Sequence, residues 1–379
     1  MVHDFDRLVD RRGTHSLKWD LYKGKEIIPL WVADMDFRVS EAIVRALEVH
    51  VDHGVFGYTL VPDELIDVVV RRLETQYEWS IERDSIVWLP GLVTGINVAC
   101  RAVGDIGDEV LTTVPIYPPF LTAPRNSLRK LTTVPLMETS RGWECDFDLL
   151  ERAITPRTRI LLLCSPHNPT GRVFSRDELA TLAQICERND LVICSDEIHC
   201  ELVLDKDREH IPTATLSPEV AERTITLMAP SKTFNIPGLC CAFAVISDEP
   251  LRRRFLGEMK GIVPHVNALG YTAALAAYRD SRDWHQAMLD YLRENRDRVE
   301  RFIEAMPGLA MHHVEATYLA WIDTRETGME NPVKIFEEAG VGFSDGRLFG
   351  AEGFVRLNFG CPRPLLEEAL QRMRKIMPQ

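Results

Sequence analysis

The chain has 379 residues, 45% of them hydrophobic and 27% charged, with a formal net charge of −13. That composition belongs to a globular protein large enough for a sizeable core, organised as two or three domains or as one large fold with an appendage. The acidic balance, offset by no basic stretch, argues against nucleic acid as the main partner, and no apolar run approaches the length of a membrane span. The N-terminus lacks the apolar core of a signal peptide. Nine cysteines include no C-x-x-C pair, and Cys164, Cys194, Cys240 and Cys241 lie inside apolar runs. This pattern suits a reducing cytoplasm better than a disulfide framework or a zinc site.

Residues 1 to about 40 carry little periodicity. In Trp31-Val-Ala-Asp-Met-Asp-Phe37, the acids Asp34 and Asp36 bracket Met35; with no further ligand cluster, loop hydrogen bonds explain them better than a metal. Residues 41–51 show helical spacing (Ile43, Val44, Leu47, Val51), and Phe56-Gly57-Tyr58-Thr59 reads as a loop with an aromatic tip. A second amphipathic helix runs from Pro62 to about residue 76. Residues 85–89 form a compact strand, after which Pro90-Gly91-Leu92-Val93-Thr94-Gly95 turns into a helix reaching about residue 103. The turn is neither a P-loop nor a dinucleotide fingerprint, yet small residues at a strand-to-helix turn offer free N–H groups to a phosphate. The strand 109–114 leads to Tyr117, held among three prolines, and residues 131–136 are strand-like. No linker, repeat or low-complexity segment interrupts the region from about 50 to 280.

Three later strand ends carry chemistry. Residues 159–164 are strongly apolar and run into Ser165-Pro-His-Asn-Pro-Thr-Gly171, a dense turn cluster that fixes Asn168. Residues 191–195 run into Asp196-Glu-Ile-His199, which puts a carboxylate at the edge of a buried strand, where it needs a cation or several donors. The strand 224–228 is followed by Ser231 and Lys232, where an open α/β sheet keeps its crevice. Beyond residue 278 the pattern changes. A long helix (282–306), strands over 316–323 and 353–359, and a closing helix (364–376) predict a smaller α/β domain joined by the N-terminal segment.

Taken together, these groups match one cofactor. Lys232 supplies an amine for an aromatic aldehyde, and Asp196 can keep a pyridine nitrogen protonated. Asn168 and His199 can donate to a phenolic oxygen, Tyr117 can stack on the ring, and the turn after Pro90 can hold a phosphate. The set describes pyridoxal 5'-phosphate.

Asn168-Pro-Thr-Gly, Asp196-Glu-Ile-His and Ser231-Lys-Thr-Phe-Asn resemble the fold-type-I aminotransferase superfamily in identity, order and spacing. The chain is more similar still to the PatB/MalY class of cystathionine β-lyases, through Val9-Asp-Arg11, Ala33-Asp-Met-Asp-Phe37, Gly54-Val-Phe-Gly-Tyr58 and Val355-Arg-Leu-Asn-Phe-Gly-Cys-Pro-Arg363. The resemblance covers essentially the whole chain. It implies an α/β fold with a mostly parallel seven-stranded sheet in a large domain (46–280), a small domain (281–379) and an N-terminal segment (1–45) joining the latter. It also implies that Lys232 bonds the cofactor and that Asp196 pairs with its ring nitrogen. Asn168, His199, Ser231 and the Gly91, Leu92, Val93 turn contact it, and Tyr117 stacks on it. Tyr58 would reach the neighbouring site of a homodimer and act there. Arg356 would clamp the substrate carboxylate, with Asn168 and Asp36 on the substrate side.

The implied reaction is β-elimination of a thiol from L-cystathionine or a related cysteine S-conjugate, giving pyruvate and ammonia. Cys240 stands where many aminotransferases carry a phosphate-binding arginine, Ala229 replaces a hydroxyl, and His199 a tyrosine, which weakens the transaminase alternative. A relative that also regulates transcription through protein binding is the other alternative.

Overall fold

The computed structural model describes residues 3–377; the two residues at each end of the chain, part of the N-terminal segment and of the C-terminal region, lie outside them. Seven strands form the main sheet. In chain order they are β1 (Ile86–Leu89), β2 (Glu109–Val114), β3 (Lys130–Pro135), β4 (Thr158–Cys164), β5 (Val192–Asp196), β6 (Thr224–Met228) and β7 (Ala242–Val245). Their spatial order is β1-β7-β6-β5-β4-β2-β3, and only β7 runs antiparallel to its neighbours. This is the mostly parallel seven-stranded sheet that the resemblance implies.

A parallel sheet is covered on both faces, so its strands read as continuous apolar runs whose side chains alternate in direction. Leu161, Leu163 and Ile193 pack on one side with Leu179, Leu182 and Ile185 of the helix Arg176–Arg188. That helix starts on a capping box in which Ser175 and Glu178 satisfy each other's backbone N–H groups. Ile160, Leu162, Ile225 and Leu227 pack on the other side with Ile96 and Ala99 of the helix Leu92–Ala102. Gly95 lets that helix lie close to the sheet: a Cβ there would stand 2.9 Å from Leu227 Cδ2.

The C-terminal third forms a second, four-stranded antiparallel sheet in which Leu319–Asp323 pairs with Phe354–Asn358, flanked by Ala310–Met311 and Ser344–Asp345. The helix Arg282–Glu304 packs on it with Leu292, Val299 and Ile303 buried. The N-terminal segment joins this region directly, since Ile28–Pro29 pairs in parallel with Val341–Gly342. Gly171, in the left-handed region at φ +72, closes the Asn168 turn against Val314 and accepts from Ala316 N, tying the main sheet to the second one. Among the described residues no helix is long and apolar enough to cross a membrane.

The acidic pair in the N-terminal segment corrects an expectation. Asp36 is 3% exposed, and both its carboxylate oxygens are taken inside the protein. Oδ2 accepts from Lys18 Nζ at 2.7 Å, while Oδ1 accepts from Trp19 Nε1 at 2.8 Å and from Arg11 Nη1 at 2.7 Å. Burial alone would raise its pKa, but Lys18, Trp19 and Arg11 hold it below the ordinary carboxylate range. Asp36 is therefore a structural anion, and no substrate contact is open to it. Its partner Lys18 is fully buried, so Asp36→Asn leaves an ammonium short of its counter-ion, a change that costs about 3–5 kcal/mol. The melting temperature of the variant should fall by several degrees, as read by thermal denaturation. An unchanged melt would remove this pair from the account of how the segment is held.

Candidate active site

Parallel strands that lie side by side deliver their loops to one place. Because β4, β5 and β6 are neighbours, the turns beyond Cys164, Asp196 and Met228 converge, joined by those after β1 and β2. They enclose a cavity of about 190 Å³. Its walls include Gly91, Leu92, Val93, Tyr117, Asn168, Asp196, His199, Ser231 and Lys232. Every cofactor contact expected from the sequence is on this wall except Tyr58. Tyr58 is fully exposed on its loop, outside the cavity of its own chain. Arg356 stands behind the wall, 4% exposed.

Each charged group here is poorly matched with the protein alone. The Asp196 carboxylate is buried and accepts one hydrogen bond, from Ile198 N at 3.1 Å. Burial and the neighbouring Glu197 push it up to about 7, against the pull of Ile198 N and Lys232. Lys232 Nζ donates to the Ala33 carbonyl at 2.6 Å. Burial, together with repulsion from Arg356, brings this amine down to about 8, although Asp34 and Asp196 oppose the shift. His199 is driven down to about 3 by burial and by the cations Lys232 and Arg356, so it is a neutral imidazole, and its Nδ1 has no partner among the described residues.

Arg356 is aimed by a small frame. Nη1 donates to Asn168 Oδ1 at 2.9 Å, and Nη2 to Trp31 O at 2.9 Å and Ser344 Oγ at 3.3 Å. Its guanidinium lies over Phe349, 4.7 Å from the ring centroid. Burial lowers it to about 10, still cationic at neutral pH. The helix Leu92–Ala102 begins at Gly91 without a side-chain cap, leaving its first-turn N–H groups open to the cavity.

This donor set fits pyridoxal phosphate. The carboxylate of Asp196 lacks a cation that a pyridinium would supply. His199 has spare hydrogen-bonding capacity, and the uncapped helix start suits a phosphate. Four further wall or frame residues were not anticipated: Ala33, Ser344, Tyr318 and Asn358. Ala33 and Asn358 lay within motifs singled out for other residues, whereas Ser344 and Tyr318 are brought in by the second sheet and the turn before it, whose pairing has no local signal.

The Asp196 shift sets a pH dependence. An unfolded aspartate titrates near about 4, whereas here the folded value is raised to about 7. Between those values the folded chain holds a proton that the unfolded chain has released, so stability falls as pH rises through this window, by on the order of a few kcal/mol. Without cofactor, Asp196→Asn should therefore melt above the parent at pH 8, and the gap should narrow markedly at pH 5 and close below about pH 4. With pyridoxal phosphate bound, the order should invert. Thermal scans at these pH values check this, and a gap independent of pH would contradict it.

Comparison with known proteins places this geometry. The family model of aminotransferase class I and II matches residues 25–373. The cystathionine β-lyase PatB of Bacillus subtilis (strain 168) is 35% identical over 386 residues, covering 99% of this chain and 100% of the relative. Among solved structures, OvoB is 47% identical with a TM-score of 0.96, covering 98% of each chain. A PLP-bound C–S lyase from Staphylococcus hominis is 33% identical with a TM-score of 0.93, covering 100% of this chain and 99% of that one. The chain belongs to the class I and II aminotransferases, the fold-type-I enzymes, in their PatB/MalY branch.

Proposed function

We infer that the chain is a pyridoxal-phosphate-dependent carbon–sulfur β-lyase. It cleaves L-cystathionine or a related L-cysteine S-conjugate to a thiol, pyruvate and ammonia. The observation that carries this is the convergence of Lys232, Asp196 and Asn168 at one cavity, with Arg356 bonded to Asn168 behind its wall, in a chain that aligns end to end with a cystathionine β-lyase.

When bound, pyridoxal phosphate supplies an aldehyde that condenses with an amine and a protonated ring that draws electron density from Cα. The protein's residues do the rest. Arg356 would receive the substrate carboxylate on its planar fork and so fix the orientation of the bonds at Cα. Lys232, as the free amine, would take the Cα proton on Nζ. The electron pair left behind expels the thiolate from Cβ, and water releases the remaining three carbons as pyruvate with ammonia. Asp196 would be the carboxylate that holds a proton on the ring nitrogen. Tyr117 lines the wall as a flat stacking face, and His199 and Asn168 offer neutral donors to the ring oxygen.

The pairing of one active site with its neighbour belongs to this proposal. Tyr58 sits at the exposed end of an apolar loop with Val55, Phe56 and Leu60, and in a homodimer it would enter the partner's cavity. The 1–45, 46–280 and 281–379 division is likewise proposed, supported by the separate sheets and the pairing of Ile28–Pro29 with the C-terminal region. A reducing cytoplasm is the compartment that suits nine free cysteines.

Purified protein given cystathionine and cysteine conjugates should release pyruvate, ammonia and thiol in equal amounts without any keto acid. Dependence on a keto acid would make it a transaminase. Arg356→Ala should lose about 30-fold to several thousand-fold in kcat/KM, since removing one partner of a desolvated charge pair costs about 2–5 kcal/mol; a loss below threefold would free Arg356 from the carboxylate. Mixing Tyr58→Phe chains with Lys232→Ala chains should restore activity through heterodimers with one intact site. If exchange is confirmed and the mixture stays inactive, Tyr58 does not act across the interface.

A further inference from the structure

Tyr318 has no exposure to solvent and does not line the cavity, yet its hydroxyl donates to the Ala33 carbonyl at 3.0 Å. That carbonyl is the acceptor of Lys232 Nζ, at 2.6 Å. One carbonyl oxygen thus takes two donors, the amine that must move protons and a phenol from the second sheet. The carbonyl cannot swing away, because Asn358 Nδ2 donates to the carbonyls on either side of it, Val32 O at 2.6 Å and Asp34 O at 2.7 Å.

The backbone that delivers Tyr318 is unusual. Thr317, a buried β-branched residue, lies in the left-handed region at φ 75, where such side chains are rarely found. It is held there by its own N–H on Leu202 O at 2.8 Å, and its hydroxyl accepts from Leu319 N at 3.1 Å. Backbone held in a disfavoured region gathers at sites where side-chain placement matters. The Tyr318 ring also stands edge-on to His199, with centroids 6.3 Å apart, which fixes it from the cavity side.

We propose that Tyr318 is a positioning residue of the reaction, its hydroxyl sharing the Ala33 carbonyl with Lys232 and thereby setting where the freed amine stands and how firmly it is held as an ammonium. This rests on the lyase reading above. A carbonyl oxygen already engaged by a phenol has less capacity for a cation. Without the hydroxyl, the whole acceptor is left to Lys232 and the ammonium gains. The other groups that bear on this amine are Asp34 and Asp196, which favour its charge, and Arg356, which opposes it; His199 lies nearby as a neutral ring. Tyr318→Phe leaves Asp34, Asp196, Arg356 and His199 in place, so the hydroxyl is the one group removed. In the reaction, the Cα–H bond breaks and its proton goes to Lys232 Nζ; the electron pair left on Cα becomes the Cα=Cβ double bond as the C–S pair departs on sulfur as thiolate.

The test is Tyr318→Phe in the full chain, read in two ways. First, the rate at which cofactor-free protein captures pyridoxal phosphate is followed against pH; its midpoint reports the Lys232 amine and should rise by about half a unit to one unit. Second, with the cofactor-loaded enzyme, kcat should fall about tenfold or more while KM changes little, and the isotope effect from a Cα-deuterated substrate should increase. Should the variant not fold, 3,5-difluorotyrosine at position 318, a stronger donor, should move the capture midpoint downward instead. A midpoint and an isotope effect both equal to the parent's would overturn the proposal. If the parent makes no pyruvate without a keto acid, the lyase reading fails, while the capture midpoint still decides the role of Tyr318.

Discussion

Asp196 ends a buried strand, and among the described residues a single backbone N–H is the hydrogen-bond partner of its carboxylate. An anion so placed is unfavourable unless a cation comes to it, and the surroundings push it towards the protonated form. The same burial drives Lys232, Arg356 and His199 towards their neutral or less charged states. Four groups are thus held out of balance in one place by the fold. A ligand carrying a ring cation, a phosphate and an amino-acid carboxylate relieves that imbalance. The parallel order β6-β5-β4 makes this possible, because it sets three strand ends side by side and directs them to one cavity.

The segment Trp31–Phe37 completes the arrangement from the other side. Its carbonyls are held by side chains from distant parts of the chain: Trp31 O by Arg356, Ala33 O by Lys232 and Tyr318, Met35 O by Arg11 and Asn235, and Phe37 O by Asn235. Two of those donors, Lys232 and Arg356, are the groups we propose for the cofactor and the substrate carboxylate. The acids of the segment, Asp34 and Asp36, are held by the Arg11–Lys18 ion-pair cluster. A single stretch is therefore anchored through its acids and gives carbonyls to Lys232 and Arg356.

Much of this was legible in the sequence, for physical reasons. The strands 109–114 and 224–228 end where their apolar runs end, because a buried parallel strand is uniformly apolar. Asn168, Asp196 and Lys232 could be found because each follows such a run within a few residues. The antiparallel strand Ala242–Val245 and the hairpin of Met137–Thr139 with Gly142–Glu144 were not marked individually, being too short to show a period. Asp36 was misjudged because its partners Lys18 and Trp19 lie on a four-residue helix, for which a sequence offers almost no signal. Tyr318 was hidden for another reason: it reads as one more apolar residue of a buried strand, and only the chain folding back to Ala33 gives its hydroxyl a partner.

The central claim is that one lysine, placed at the end of β6 and kept partly unprotonated by burial, is the covalent anchor of the cofactor. Borohydride reduction of the cofactor-loaded protein, followed by digestion and peptide mass mapping, tests it most directly. The account predicts a single modified peptide, with the pyridoxyl group on Lys232. A modification on any other lysine, or loss of the cofactor without a stable adduct, would contradict it.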